Sequence, residues 1–115
     1  MADFDFPIAD FTISEAGKRG IAKLREAFDA ASEDKAAVVS IGWARVMPND
    51  VASFETVAVA FYGRSQFDDR MKAAIQVVSG VETIFFVEPD KLRTFIGKVL
   101  DYSDGHGFFL RAPLR

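Results

Sequence analysis

The chain contains no cysteine in its 115 residues. Disulfides, thiolate nucleophiles, zinc–cysteine sites and cysteine-ligated iron–sulfur clusters are therefore excluded on these residues. The absence does not fix a compartment, because a chain without thiols tolerates either redox environment. Histidine is almost as scarce: His106 is the only one, which leaves few groups for acid–base or nucleophilic work. An enzyme is accordingly not expected. Positive charge is also short, with 14 Lys and Arg against 17 Asp and Glu and a net charge of −3. Without a broad positive field a phosphate backbone is not held, so nucleic acid is not expected as a partner. No apolar run reaches membrane-spanning length, and the opening MADFDFPIADF is acidic where a secretory leader is basic. The expectation is a cytoplasmic protein with no membrane partner.

What is present in quantity is phenylalanine, twelve residues against one tryptophan and two tyrosines. These are bulky core fillers that need no hydrogen-bond partner, and they favour one packed domain over residues 1–115. Residues 1–11 read as an extended arm around Pro7. TISE then matches a capping box, with Thr12 at the N-cap and Glu15 reaching back to it. Ile21, Leu24, Phe28 and Ala31 recur at helical spacing to a stop near Ser32, and Gly17 and Gly20 on the same side allow the first turns to approach a sheet closely.

From Ala37 the pattern alternates, with Val39, Ile41 and Trp43 on one face and Val38, Ser40, Gly42 and Ala44 on the other. MPND, residues 47–50, reads as a turn, and a second strand runs from Phe54 to Tyr62 with Val57, Val59 and Phe61 inward. GRSQFDDRMKAA is compatible with a short helix or with a loop leading into a strand at Ile75–Val78. After Gly80, VETIFFV reads as a strand, ended by Glu88-Pro89-Asp90, with Asp90 as a cap. One helical turn from Asp90 to Phe95, a stop at Gly97, a strand Lys98–Tyr102, the turn SDGHG and a last strand Phe108–Arg111 complete the chain. The fold class implied is α+β, mostly β.

The second half carries a more specific pattern. Gly80-Val81, the run Ile84 to Val87, Glu88-Pro89, Leu92, Gly97, Asp101-Tyr102, Gly105-His106-Gly107-Phe108 and Pro113 follow one another in the order and spacing of A-type iron–sulfur carriers, the HesB-like family, which the chain resembles here. TISEAGKRGIAKLREAF is similar to that family's threonine-capped first helix. The resemblance covers roughly half the chain. It implies a HesB-like, β-rich barrel or sandwich with an N-terminal helix and a short helix before the last strands. It also implies three cysteine ligands, and this sequence departs at all three: the segment expected to hold the first reads SIGWARVMPND, and Pro113-Leu114-Arg115 stands before the place of the paired ones. No cofactor is carried over. The resemblance then implies the scaffold without the carrier chemistry, acting through contacts with a protein partner or a second copy of itself.

Two groups of residues are candidates for binding. Asp101, Asp104 and His106 form D-x-x-D-x-H, two carboxylates and an imidazole suited to a divalent cation. The bland reading is a solvated turn, because glycines on both sides of His106 signal tight backbone geometry. Trp43 and Arg45 occupy the place of the family's cluster loop. The bland reading makes Trp43 core and Arg45 a solvent-facing strand residue, and the sharper one has the indole filling a vacated metal pocket. The alternative function is thus a small-molecule or divalent-metal binding module. Arg64, Asp68, Asp69 and Arg70 read as a solvated loop. No nucleophile-elbow motif surrounds any serine that His106 would need for a catalytic triad, and Gly17-x-x-Gly20 lies within a helix, so no phosphate loop is present.

Overall fold

A computed structural model describes residues 7–46 and 54–113 of the chain. The polypeptide begins with a short strand, β1 (Phe11–Ile13), whose alternation buries Phe11 and Ile13 and exposes Thr12. Helix α1 (Glu15–Ala31) follows, and then the two long strands β2 (Ala36–Val46) and β3 (Phe54–Gly63). A 3-10 turn (Arg64–Gln66) and the short helix α2 (Asp69–Ala73) lead to β4 (Ile75–Val78) and β5 (Val81–Phe85). A second 3-10 turn (Pro89–Thr94), β6 (Lys98–Ser103) and β7 (Gly107–Arg111) finish the described chain.

The strands form two sheets, one ordered β3-β2-β5-β4 and the other β1-β6-β7. Adjacent strands pair antiparallel except β2 with β5 and β1 with β6, which are parallel. β7 lies against β3 and β1 against β4, so the two sheets meet along both edges as a barrel-like sandwich. Helix α1 covers it, lying mainly on β6. The fold is α+β, seven strands and one long helix among the described residues.

The interior is built on phenylalanine, as the composition implies. Phe85 and Phe95 are fully buried, with ring centroids 4.9 Å apart, and Phe11 meets each of them at 5.1 and 5.5 Å. These edge-on and tilted contacts are the arrangements aromatic quadrupoles prefer. Ile41, Ile84, Leu100, Val39 and Val87 complete the core. The inward faces of the hairpin are those the alternation marks: Trp43 stands opposite Val57, Ile41 opposite Val59 and Val39 opposite Phe61. The other face of β2 is covered as well, since Ser40 and Gly42 are also buried.

Several expectations are corrected. The N-cap of α1 is Ser14, not Thr12, and the Ser14 hydroxyl accepts from the Gly17 N–H at 2.9 Å. Thr12 is unavailable because its backbone belongs to the ladder in which Phe11, Thr12 and Ile13 pair with Lys98, Val99 and Leu100. The arm therefore gives way to a strand at Phe11 rather than continuing through it. Ala31 is exposed, so the buried stripe of α1 ends at the half-buried Phe28. Of the two readings left open for residues 64–74 the helix is found: a 3-10 turn and then a helix, which Asp68 caps by accepting from the Met71 N–H, lead into the expected strand Ile75–Val78. The turn after β5 begins one residue earlier than expected, with Glu88 at its N-cap and Asp90 inside its first turn. The MPND turn lies outside the described residues.

Candidate functional site

Asp101, Asp104 and His106 do not converge. Asp101 lies on β6 opposite Phe109, and both its oxygens are committed. Oδ1 accepts from the Ser14 hydroxyl at 2.7 Å and from the Tyr102 N–H at 2.8 Å, and Oδ2 accepts from Arg111 Nε at 2.6 Å. The Arg111 guanidinium first, then the Ser14 hydroxyl and the Tyr102 N–H, hold the Asp101 carboxyl down from 3.8 to about 2. Asp104 is in the turn, 3.3 Å from Lys23 Nζ, with both side chains largely exposed. His106 is exposed, and its N–H donates to the Ser103 carbonyl. Gly105 and Gly107 have φ of 90° and 79°, backbone that a side chain disfavours, which is the structural use of the glycines around His106. No group of three or more His, Cys, Asp and Glu is placed to hold a metal ion among the described residues.

Asp101 is instead the tie between the start of α1 and the β6–β7 hairpin. Its depressed pKa means the folded state holds the carboxylate in its charged form. The associated stability is fully present above the unfolded value near 3.8 and is lost as pH falls through about 2. A shift of this size corresponds to a contribution on the order of 2 kcal/mol at neutral pH. Asp101→Asn is expected to lower stability at pH 7 and to flatten its pH dependence between about pH 4 and 2. Denaturant titrations at the two pH values check this, and a variant whose deficit persists unchanged at the lower pH would refute it.

Trp43 and Arg45 are brought together with residues that the sequence does not single out. Trp43, Arg45, Glu55, Glu88, Asp90 and Lys91 line a cavity of about 310 Å³ at the end of the sheet where β2 runs beside the chain leaving β5. Three features of the backbone build it. The hairpin register sets Arg45 opposite Glu55. The parallel pairing of β2 with β5 extends past the strand, with the Phe86 N–H donating to the Ile41 carbonyl. Gly42 permits that approach, since a Cβ there would stand 2.7 Å from the Phe86 carbonyl oxygen, on a neighbour's backbone that cannot rotate away. The chain is thereby delivered beside Trp43, and the Pro89–Thr94 turn presents Lys91.

Within the cavity Glu55 is the centre of charge. Lys91 Nζ donates to its Oε1 at 3.1 Å, and Arg45 Nη2 lies 3.5 Å from its Oε2. The Lys91 ammonium first, and then the Trp43 indole facing it, hold the Glu55 carboxyl below its usual range. The indole contact lacks hydrogen-bond geometry, however, and Trp43 Nε1 is buried without a partner. The ring itself stands edge-on to Phe95 at 6.0 Å, so Trp43 separates the core from the cavity. Glu88 and Asp90 are exposed at its rim.

No protein-family model matches the chain. No curated protein matches it either.

Proposed function

We propose that this chain is a HesB-like domain that does not carry an iron–sulfur cluster and acts, without catalysis, through contact with a partner protein or a second copy of itself. The observation that carries the reading is the state of the segment where the resemblance puts the first cluster ligand. Residues 40–46 are strand, paired residue by residue with β3 from Ser40↔Ala60 to Val46↔Phe54. Within them the indole of Trp43 rests on Phe95, and Arg45 is engaged with Glu55. A ligand loop needs free backbone and a soft donor, and the described residues of this segment, 40–46, offer neither. The order of elements supports the scaffold part of the reading: a first helix, a long hairpin, and a short helical turn before the last two strands.

Anaerobic incubation with ferrous iron and sulfide tests it. The expected result is protein recovered without a stoichiometric chromophore, and affinity capture from native extract is expected to recover a protein partner without metal. A chromophore bound one per chain would sink the proposal.

A further inference from the structure

From the cavity beside Trp43 we infer a binding site for a small zwitterion of the amino-acid type, its carboxylate directed inward to the Trp43 N–H and its ammonium held at the rim by Glu88 and Asp90.

The inference goes beyond a protein-contact role and does not depend on it. Its starting point is a deficit. Trp43 Nε1 is the one buried side-chain polar atom without a partner among the described residues. An indole nitrogen donates and cannot accept, and a buried donor left unsatisfied carries an uncompensated desolvation cost. An acceptor brought into the cavity removes that cost. The same wall carries positive charge toward which an anionic acceptor is drawn, since Lys91 and the largely exposed Arg45 both line the cavity beside Glu55.

A simple anion does not complete the site. Two cations there face three carboxylates, Glu55, Glu88 and Asp90. Glu55 is occupied by Lys91 and Arg45, whereas Glu88 and Asp90 have no ion pair among the described residues. They lie at the exposed edge of the same cavity. What remains to be satisfied is thus one buried donor at depth and two carboxylates at the mouth. A ligand with a carboxylate at one end and an ammonium at the other meets both requirements. A cavity of about 310 Å³ is at the small end of ligand sites, which suits a molecule of amino-acid size and not a nucleotide.

The chain's single tryptophan makes the test direct, because the indole N–H gives one resonance and one fluorophore. The wild-type protein is titrated with individual L-amino acids to roughly 10 mM, with acetate and ethylammonium as the two half-molecules. A saturable shift of the Trp43 indole resonance is expected with at least one amino acid, and no comparable shift with either half-molecule. Glu88→Gln combined with Asp90→Asn, both at exposed positions, is expected to weaken that binding roughly tenfold while the fold is retained. Saturation by acetate alone, saturation by ethylammonium alone, an unchanged affinity in the double variant, or no saturable shift with any amino acid would each overturn the inference.

Discussion

Phe95→Ala is expected to destabilise the domain by about 3–5 kcal/mol, the range for removing a fully buried phenylalanine where the surroundings close only partly. Phe95 has no exposed surface, and its ring touches Phe11, Phe85 and Trp43. These three belong to different strands: Phe11 to the sheet containing β6 and β7, and Trp43 and Phe85 to the larger sheet. Phe95 itself lies in the connection between the sheets, so the cavity left by its ring cannot be filled by moving one element. Against a typical domain stability of about 5–15 kcal/mol, the loss is a large share. It corresponds to a fall in Tm on the order of 15 °C. Phe95→Leu keeps most of the volume and is expected to cost less than about 2 kcal/mol. Urea unfolding of the three proteins gives the comparison, and a Phe95→Ala deficit below about 1 kcal/mol would show that the core does not depend on this ring. The tryptophan provides a local readout, because the edge of Trp43 rests on Phe95 and its emission is expected to shift in the alanine variant even where the fold survives.

The dependence on Phe95 also shows why some elements were legible in the sequence and others were not. The β2–β3 hairpin announces itself locally: Val39, Ile41 and Trp43 alternate with smaller residues, as Val57, Val59 and Phe61 do, and the structure sets these two groups opposite each other. The N-cap of α1, expected at Thr12 and found at Ser14, departs from local pattern for the opposite reason. T-x-x-E is a local motif, but what decides the N-cap is a parallel ladder from Thr12 to Val99, far along the chain, together with an aspartate on β6 that engages the Ser14 hydroxyl. Local pattern cannot weigh partners that distant. The spacing D-x-x-D-x-H misled in a related way, because it crosses from strand to turn. Asp101 is drawn into the sheet by Arg111 and Ser14, while Asp104 and His106 remain in the tight turn. Of the cavity, the sequence marked only Trp43 and Arg45. Glu55 was out of reach because the register that sets Trp43 opposite Val57 and Arg45 opposite Glu55 is not the one the MPND turn signal gives. Centring the hairpin on MPND would set Arg45 opposite Ala52. Glu88, Asp90 and Lys91 arrive through the parallel pairing of β5 with β2, for which no short-range signal exists.

Gly17→Ala provides the second large effect, and its sign opposes intrinsic propensity. In an exposed helix interior the change would stabilise by about 1 kcal/mol. Here a Cβ at residue 17 would stand 2.6 Å from the Leu100 carbonyl oxygen and 2.9 Å from Ile13 Cγ2. The first of these is backbone in the middle of β6, paired on one side with β1 and on the other with β7, so it has no freedom to withdraw. The helix must move instead. Moving it strains the Ser14 N–H bond to that same carbonyl, the Gly17 N–H bond to Ser14 Oγ, and the Ser14 bond to Asp101. Overpacking of this kind costs about 1–3 kcal/mol and loss of an N-cap about 1 kcal/mol more, which outweighs the propensity gain of about 1 kcal/mol and leaves a net loss of roughly 1–3 kcal/mol. Ala22→Gly, at an exposed position of the same helix, measures the propensity term alone and is expected to cost about 1 kcal/mol. Gly17→Ala is further expected to move the Asp101 carboxyl back toward its ordinary range, because the Ser14 hydroxyl that helps hold it down is displaced. Carboxyl titration by NMR, alongside thermal unfolding, reads both consequences. A Gly17→Ala protein as stable as wild type would mean that the helix does not lie against β6 at the distance seen here.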